Sequence, residues 1–299
     1  VEQNQDQIYR LKPRENPHVN QWWMCDEGRY GYKHVHSPRR MLQLRRRTES
    51  GHQNMDWSEL PGELDSQLRQ AGHLGALISP HLTVEEIYLL CQYLRGLDDR
   101  ALLALGPVPV EGQDETFPNG FTIRAEKCPN RRGARAILAR MNGTLVTFDD
   151  FLKRLDDEAL GGLWVAGGYK TDWIEPAPAE QLATVPLLIV QDLFSSPLWD
   201  QATYQLPGVA FAERSGSYVN FNDRLQAFDW AVRPPAGAQL DGQLVWQLLG
   251  RSGLYQPRAV LDELARAMAY FAPAAGPLPA VGVDLKVNQL ANNDVASGV

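Results

Sequence analysis

The 299-residue chain has only three cysteines, Cys25, Cys91 and Cys128. An odd, widely spaced set of thiols does not build a disulfide framework and suits a reducing compartment. Long apolar runs are missing as well. The longest, residues 185–190, is the size of one buried strand, far short of the ~20 residues that span a bilayer. We therefore expect no signal peptide, and contact with a membrane only through a larger complex. Cationic excess is absent: 29 Lys and Arg stand against 36 Asp and Glu, for a net charge of −7. That argues against nucleic acid as the main partner, because phosphates call for a basic footprint. There is no C-x-x-C, no H-E-x-x-H and no G-x-S-x-G, so the usual signatures of zinc sites and serine nucleophiles are lacking.

What is present describes a globular chain. Hydrophobic residues make up 44% and charged residues 22%, enough for one large domain or two ordinary ones. The charge is uneven. Arg29, Lys33, Arg39, Arg40, Arg45, Arg46 and Arg47 fall in one stretch without an acid. The run reads as a solvated face or subunit contact, with an anionic cofactor or partner surface as the alternative. His34 and His36, two apart, suit a metal clip on a strand or, more simply, exposed or core side chains.

The pattern along the chain places the elements. Residues 8–11 alternate like a short strand, residues 12–17 form a turn, and residues 50–63 read as a linker or exposed loop. From Leu64 onward the texture becomes α/β. Residues 74–80 are a short apolar strand. Thr83 then caps a helix with Glu85 and Glu86 in its first turn and Ile87, Leu90, Cys91 and Leu94 on one face. Residues 101–105 form a short strand or helix, and helices are expected at 132–140 and 147–160. A strand at 163–166 runs into Gly167-Gly168, a turn like a phosphate cradle but without G-x-G-x-x-G spacing. Further strands are expected at 186–190 and 209–213, then a hairpin turn at 214–217 with its return at 218–220. Two amphipathic helices, 240–249 and 257–271, precede a loosely held tail after Ala272. The alternation gives an α/β fold, a Rossmann-like mostly parallel sheet with helices, behind a small irregular segment. The boundaries are 1–50, 64–235 and 236–299.

Within the first segment, Cys25 follows Trp22, Trp23 and Met24 and precedes Gly28. Bulky aromatic cover and a glycine that lets the backbone approach suit a thiolate at a metal cluster. A plain core thiol is the alternative.

The run from Ile8 through Cys25 to Lys33 and onward resembles the iron–sulfur segment that opens molybdopterin oxidoreductases. More narrowly, it resembles the large iron–sulfur subunit of NADH:quinone oxidoreductase, respiratory complex I. Two later stretches are similar to the same family: residues 121–133 with Pro129-Asn130-Arg131-Arg132-Gly133, and residues 208–226 with Phe211-Ala212-Glu213, Val219-Asn220, Arg224 and Gln226. With residues 77–90, the resemblance runs over most of 8–232. It implies a [4Fe–4S] cluster held by four thiolates. Cys25 would be the fourth, the first three falling before Val1. Trp22 and Trp23 would cover the cluster and Arg29 would bias its potential. It further implies an electron-transfer and scaffold subunit whose partners are the other subunits of an NADH dehydrogenase or hydrogenase complex. Such a subunit is cytoplasmic and peripheral to the inner membrane through that complex. A formate dehydrogenase-like catalytic fragment and a non-redox interaction module are the alternatives. The sequence departs from the family at Glu27, where catalytic members carry a lysine. An acid there would repel an anionic pterin pyrophosphate, so molybdopterin is not expected.

Overall fold

Short, fully apolar runs become interior strands, and amphipathic runs become the helices that cover them, in the computed structural model of the chain, which describes residues 1–118 and 122–286. In chain order the elements are β1 (Glu2–Asn4), β2 (Gln7–Arg10), α1 (Asp26–Tyr30), β3 (Arg45–Thr48), β4 (Gly51–Asn54), α2 (Leu60–Gln70), β5 (Leu74–Ile78), α3 (Val84–Leu97), β6 (Leu102–Leu105), β7 (Glu115–Thr116), β8 (Thr122–Ile123), α4 (Arg131–Asn142) and α5 (Phe148–Glu158). There follow β9 (Gly162–Ala166), α6 (Pro176–Leu182), β10 (Leu187–Asp192), β11 (Tyr204–Pro207), β12 (Gly216–Val219), β13 (Arg224–Phe228), α7 (Asp241–Leu248), α8 (Pro257–Ala267) and β14 (Val283–Asp284).

The main sheet has the order β4-β3-β11-β10-β9-β5-β6. Its five strands from β11 to β6 run parallel, and β3 and β4 are antiparallel additions at one edge. Every residue of β5, β6, β9 and β10 is buried, as a sheet covered on both faces requires. Ala76, Ile78, Trp164 and Ile189 point to the side of α2, α3, α4, α7 and α8. Their neighbours Leu77, Leu163, Val165 and Leu188 point to the side of α5 and α6. The mixed α/β architecture and the mostly parallel sheet thus match expectation.

The cap of α3 forms as expected. Thr83 Oγ1 accepts the Glu86 N–H at 3.2 Å, and Glu86 Oε2 accepts the Thr83 N–H at 3.0 Å, a reciprocal capping box. Gly161 shows how tightly the sheet is closed at its amino end. A Cβ there would lie 1.7 Å from the carbonyl oxygen of Ala71. Gly161→Ala is expected to destabilise the fold by about 3 kcal/mol, since neither backbone can yield; urea unfolding beside the parent checks it.

Several local expectations are corrected. Residues 50–63 are not a linker: they hold β4 and the start of α2. Residues 209–213 are not a strand but a loop ending in a 3₁₀ turn at Phe211–Glu213. The hairpin turn lies at residues 220–223, because Gly216–Val219 already pairs with Arg224–Phe228. Past Ala272 the chain is held through residue 286, with β14 paired to β13 and Leu285 fully buried; the rest of the tail lies outside the described residues. The basic run is not one solvated face. Arg45–Thr48 forms β3, and Arg40 is buried in a bidentate pair with Glu213 (3.1 and 3.0 Å).

Candidate cofactor site at the switch point of the sheet

From β5 the chain crosses to β6 on one side, and it returns to place β9 on the other side of β5. The strand order therefore reverses between β5 and β9. In open α/β sheets the crevice beyond the carboxyl ends of strands at such a point is where ligands bind. Here that crevice holds a cavity of about 550 Å³. Cys25, Glu27, His81, Cys128, Gly168 and Lys170 are among its lining residues. The loops after β5 and β9 form its floor. The N-terminal segment with α1 and the stretch before α4 lie against it.

The glycine turn after β9 is shaped by a carboxylate. A Cβ on Gly167 would lie 2.6 Å from Asp192, and Gly168 has φ of +92°, a conformation that favours glycine. Asp192, at the end of β10, accepts N–H groups from Gly168 (2.9 Å), Leu193 (2.7 Å) and Trp173 Nε1 (2.7 Å). Burial nonetheless pushes its carboxyl up to about 6. The Gly168 N–H is thus committed to Asp192, which is why the turn only partly resembles a phosphate cradle.

Cys25 is the N-cap of α1. Its Sγ accepts the Gly28 N–H at 3.4 Å, and the side chain is half-buried. Besides the switch-point cavity it lines a second, of about 1090 Å³, together with Trp22, Trp23 and Arg14. The structure thus brings Cys25, Trp22 and Trp23 to one groove. The indoles sit at its outer surface, Trp22 70% and Trp23 45% exposed. Arg29 is half-buried in the last turn of α1 and is not among the residues lining either cavity.

Glu27 has a role that local sequence did not show. Its carboxylate meets Lys127 Nζ at 3.1 Å and Lys170 Nζ at 3.2 Å. Partial burial works to raise its carboxyl, but the two ammonium groups outweigh that and hold it below the usual range. Lys127, Cys128 and Lys170 were not singled out from sequence. The signals were there: Lys127 and Cys128 lie within residues 121–133, one of the stretches that resemble the family, and Lys170 follows the glycine pair. Burial, with Glu126 beside it, pushes the Cys128 thiol well up, so it stays protonated.

The histidines serve the fold. His34 and His36 lie in a 3₁₀ turn rather than a strand. His34 Nδ1 meets the Gly31 carbonyl at 2.8 Å, and His36 Nε2 accepts the Ile8 N–H at 3.0 Å. Among the described residues no group of three or more His, Cys, Asp and Glu side chains is arranged to hold a metal ion.

His81 packs edge-on against Tyr169, ring centroids 5.3 Å apart. Burial, helped by Lys170, pushes its imidazole down to about 3. The unfolded chain therefore takes up a proton near pH 6.5 that the folded chain refuses. The stability this group contributes is present above that pH and is lost as pH falls. Between pH 6.5 and 4 the loss is about 3 kcal/mol. Asp192, with its raised carboxyl, works in the opposite direction between its ordinary value and about 6. His81→Gln should therefore lose less stability than the parent between pH 7 and 4, read as the difference in urea midpoints.

The Cys25 geometry fits a cluster ligand. The sulfur carries one N–H donor, and open volume lies in front of it. One thiolate does not complete a cubane, and the Cys128 thiol beside it is held protonated.

No protein-family model matches the chain. It is 33% identical over 95 residues to the NADPH-Fe(3+) oxidoreductase subunit alpha of Geobacter sulfurreducens, covering 30% of this chain and 11% of that protein. It is 36% identical over 72 residues to the F420-dependent formate dehydrogenase 1 subunit alpha of Methanococcus maripaludis, covering 24% and 11%. Over 90 residues it is 30% identical to a subunit of the NADH-quinone oxidoreductase of Streptomyces coelicolor, covering 29% and 11%. Each match spans about a tenth of the relative's length. Over somewhat less than a third of its own length, the chain is similar to oxidoreductase subunits of the molybdopterin-oxidoreductase family.

Proposed function

We propose that this chain is part of an electron-transfer and scaffold subunit of an NADH:quinone oxidoreductase-type complex, with Cys25 one thiolate ligand of a [4Fe–4S] cluster. The observation that carries the reading is the Cys25 sulfur itself. It caps α1, accepts a hydrogen bond from the Gly28 N–H and lines two cavities, one of them beyond the carboxyl ends of the strands. Bound there, the cluster would supply one-electron carriage. The remaining thiolates would come from outside residues 1–299.

The protein's own residues have definite tasks in this reading. Residues 1–50 hold the cluster and the α/β body is the scaffold. Trp22 and Trp23 give apolar cover against a partner subunit, and Arg29 adds positive charge one helical turn away. Glu27 occupies Lys127 and Lys170, so an anionic pterin pyrophosphate would have to displace it; the reading is one without molybdopterin. No helix among the described residues is long and apolar enough to cross a membrane. We place the subunit in the cytoplasm, at the inner membrane only through its complex.

A catalytic subunit is the second reading, favoured by the formate dehydrogenase relative and by the second thiol, Cys128, in the switch-point cavity. Elemental analysis and pterin fluorescence of the full gene product, isolated anaerobically, separate the two. Iron with labile sulfide, but neither molybdenum nor pterin, supports the electron-transfer subunit. Molybdenum with pterin supports the catalytic one. A folded protein with none of these overturns both and leaves an interaction module.

A further inference from the structure

We propose that Glu85 takes up and releases a proton at the joint between α3 and β12, making a pH-sensitive latch behind one wall of the switch-point cavity. The inference goes beyond the electron-transfer reading and does not depend on it.

Three carboxyl groups, those of Glu85, Glu86 and Asp241, are buried around one cation, Arg214. The guanidinium is spent on two of them, Glu86 Oε2 at 2.6 Å and Asp241 Oδ2 at 3.0 Å. Glu85 is 1% exposed, and among the described residues no cation forms an ion pair with it. Its Oε2 accepts the Ser217 N–H at 2.9 Å, and its neighbour on α3 is the Glu86 carboxylate. The other groups around it carry no positive charge. Tyr218 from β12 and Tyr255 from the loop before α8 are phenols that burial keeps protonated. From α4 comes the neutral side chain of Asn130, whose Oδ1 accepts the Val219 N–H at 2.9 Å. Glu86 Oε1, in the same network, has no hydrogen-bond partner among the described residues. The cluster is therefore short of donors as well as of positive charge.

A buried carboxyl without a counter-charge neutralises itself by keeping its proton, and burial pushes Glu85 up to about 7. Burial raises Asp241 as well, but there Arg214 works against it. The position of Glu85 gives its proton leverage. Ser217 stands between Gly216, where a Cβ would lie 2.5 Å from Thr83, and Tyr218. The Tyr218 hydroxyl donates to the His81 carbonyl at 3.2 Å, and both residues line the cavity. Loss of the proton sets a bare carboxylate beside Glu86 and loosens the seat of β12. In the unfolded chain the same carboxyl ionises near 4.5. The stability held by the proton is therefore full below that pH and is lost as pH rises through about 7.

The test is infrared spectroscopy of the full gene product, following the carboxylic C=O stretch. At pH 6 the parent minus Glu85→Gln difference should show a carboxylic band that shifts in heavy water and fades by pH 8. Asp192 and His81 are common to both proteins and cancel. In urea, the unfolding constant of the parent relative to that of Glu85→Gln should rise about a hundredfold between pH 5 and 8. Should Glu85→Gln fail to fold, the band and its fading must survive in Asp192→Asn, Asp241→Asn, which removes the carboxyls that burial also raises. A difference spectrum without a carboxylic band, or a band lost in that double variant, overturns the proposal. Either result leaves the electron-transfer reading standing.

Discussion

Under the proposed electron-transfer reading, serine at position 25 should leave a folded protein and abolish binding of the cluster. The fold is spared because serine is as good an N-cap as the position requires, and because the half-buried Cys25 side chain makes one bond, to the Gly28 N–H. The centre is lost because a hydroxyl is a hard, weakly acidic ligand where iron–sulfur chemistry calls for a soft thiolate. The urea midpoint should therefore hold to within about 0.5 kcal/mol of the parent, while bound iron and the EPR signal of the reduced protein fall to background. Full iron content and an unchanged signal in Cys25→Ser would show that the thiol is no ligand.

Arg214→Met should destabilise the protein by about 3–5 kcal/mol, the cost of stripping the cation from a buried ion network. Arg214 is almost fully buried. One terminal nitrogen meets Glu86 Oε2 at 2.6 Å, and the other meets Asp241 Oδ2 at 3.0 Å and donates to the Val209 carbonyl. The network joins the first turn of α3 and the start of α7, just ahead of β12. Beside it Glu85, pushed up to about 7 by burial, accepts the Ser217 N–H at 2.9 Å. With the guanidinium gone, two carboxylates are left buried without a counter-charge. Neutralising them as well, in Glu86→Gln, Arg214→Met, Asp241→Asn, should recover part of the loss. Urea unfolding of the parent, single and triple variants measures this. A single-variant cost below about 1 kcal/mol would contradict it.

Much of the scaffold was legible because its signals are local. The apolar runs that became β5, β9 and β10 are short and uninterrupted, and Thr83 with Glu86 spells its own cap. Strand β3 was hidden, because Arg45, Arg46 and Arg47 read as solvated charge. Only pairing with Tyr204 and Gln205, and the contact of Arg46 with Glu63 at 2.7 Å, makes that stretch an edge strand. Arg40 was hidden for the same reason, its partner Glu213 being 173 residues away. At the site, Cys25, Trp22 and Trp23 were found by resemblance and lie on one groove. Glu27 was read as a charge that repels an anion. Its lysines come from distant loops, Lys170 lying 143 residues on, so no local pattern could show that it is already neutralised.

The most direct measurement is low-temperature EPR of the full gene product, purified anaerobically, reduced and then reoxidised, with iron and sulfide counted on the same sample. The account predicts a signal that appears on reduction and vanishes on reoxidation, with about four irons and as much sulfide for each cluster. A well-folded protein that carries neither iron nor sulfide and shows no signal would contradict it.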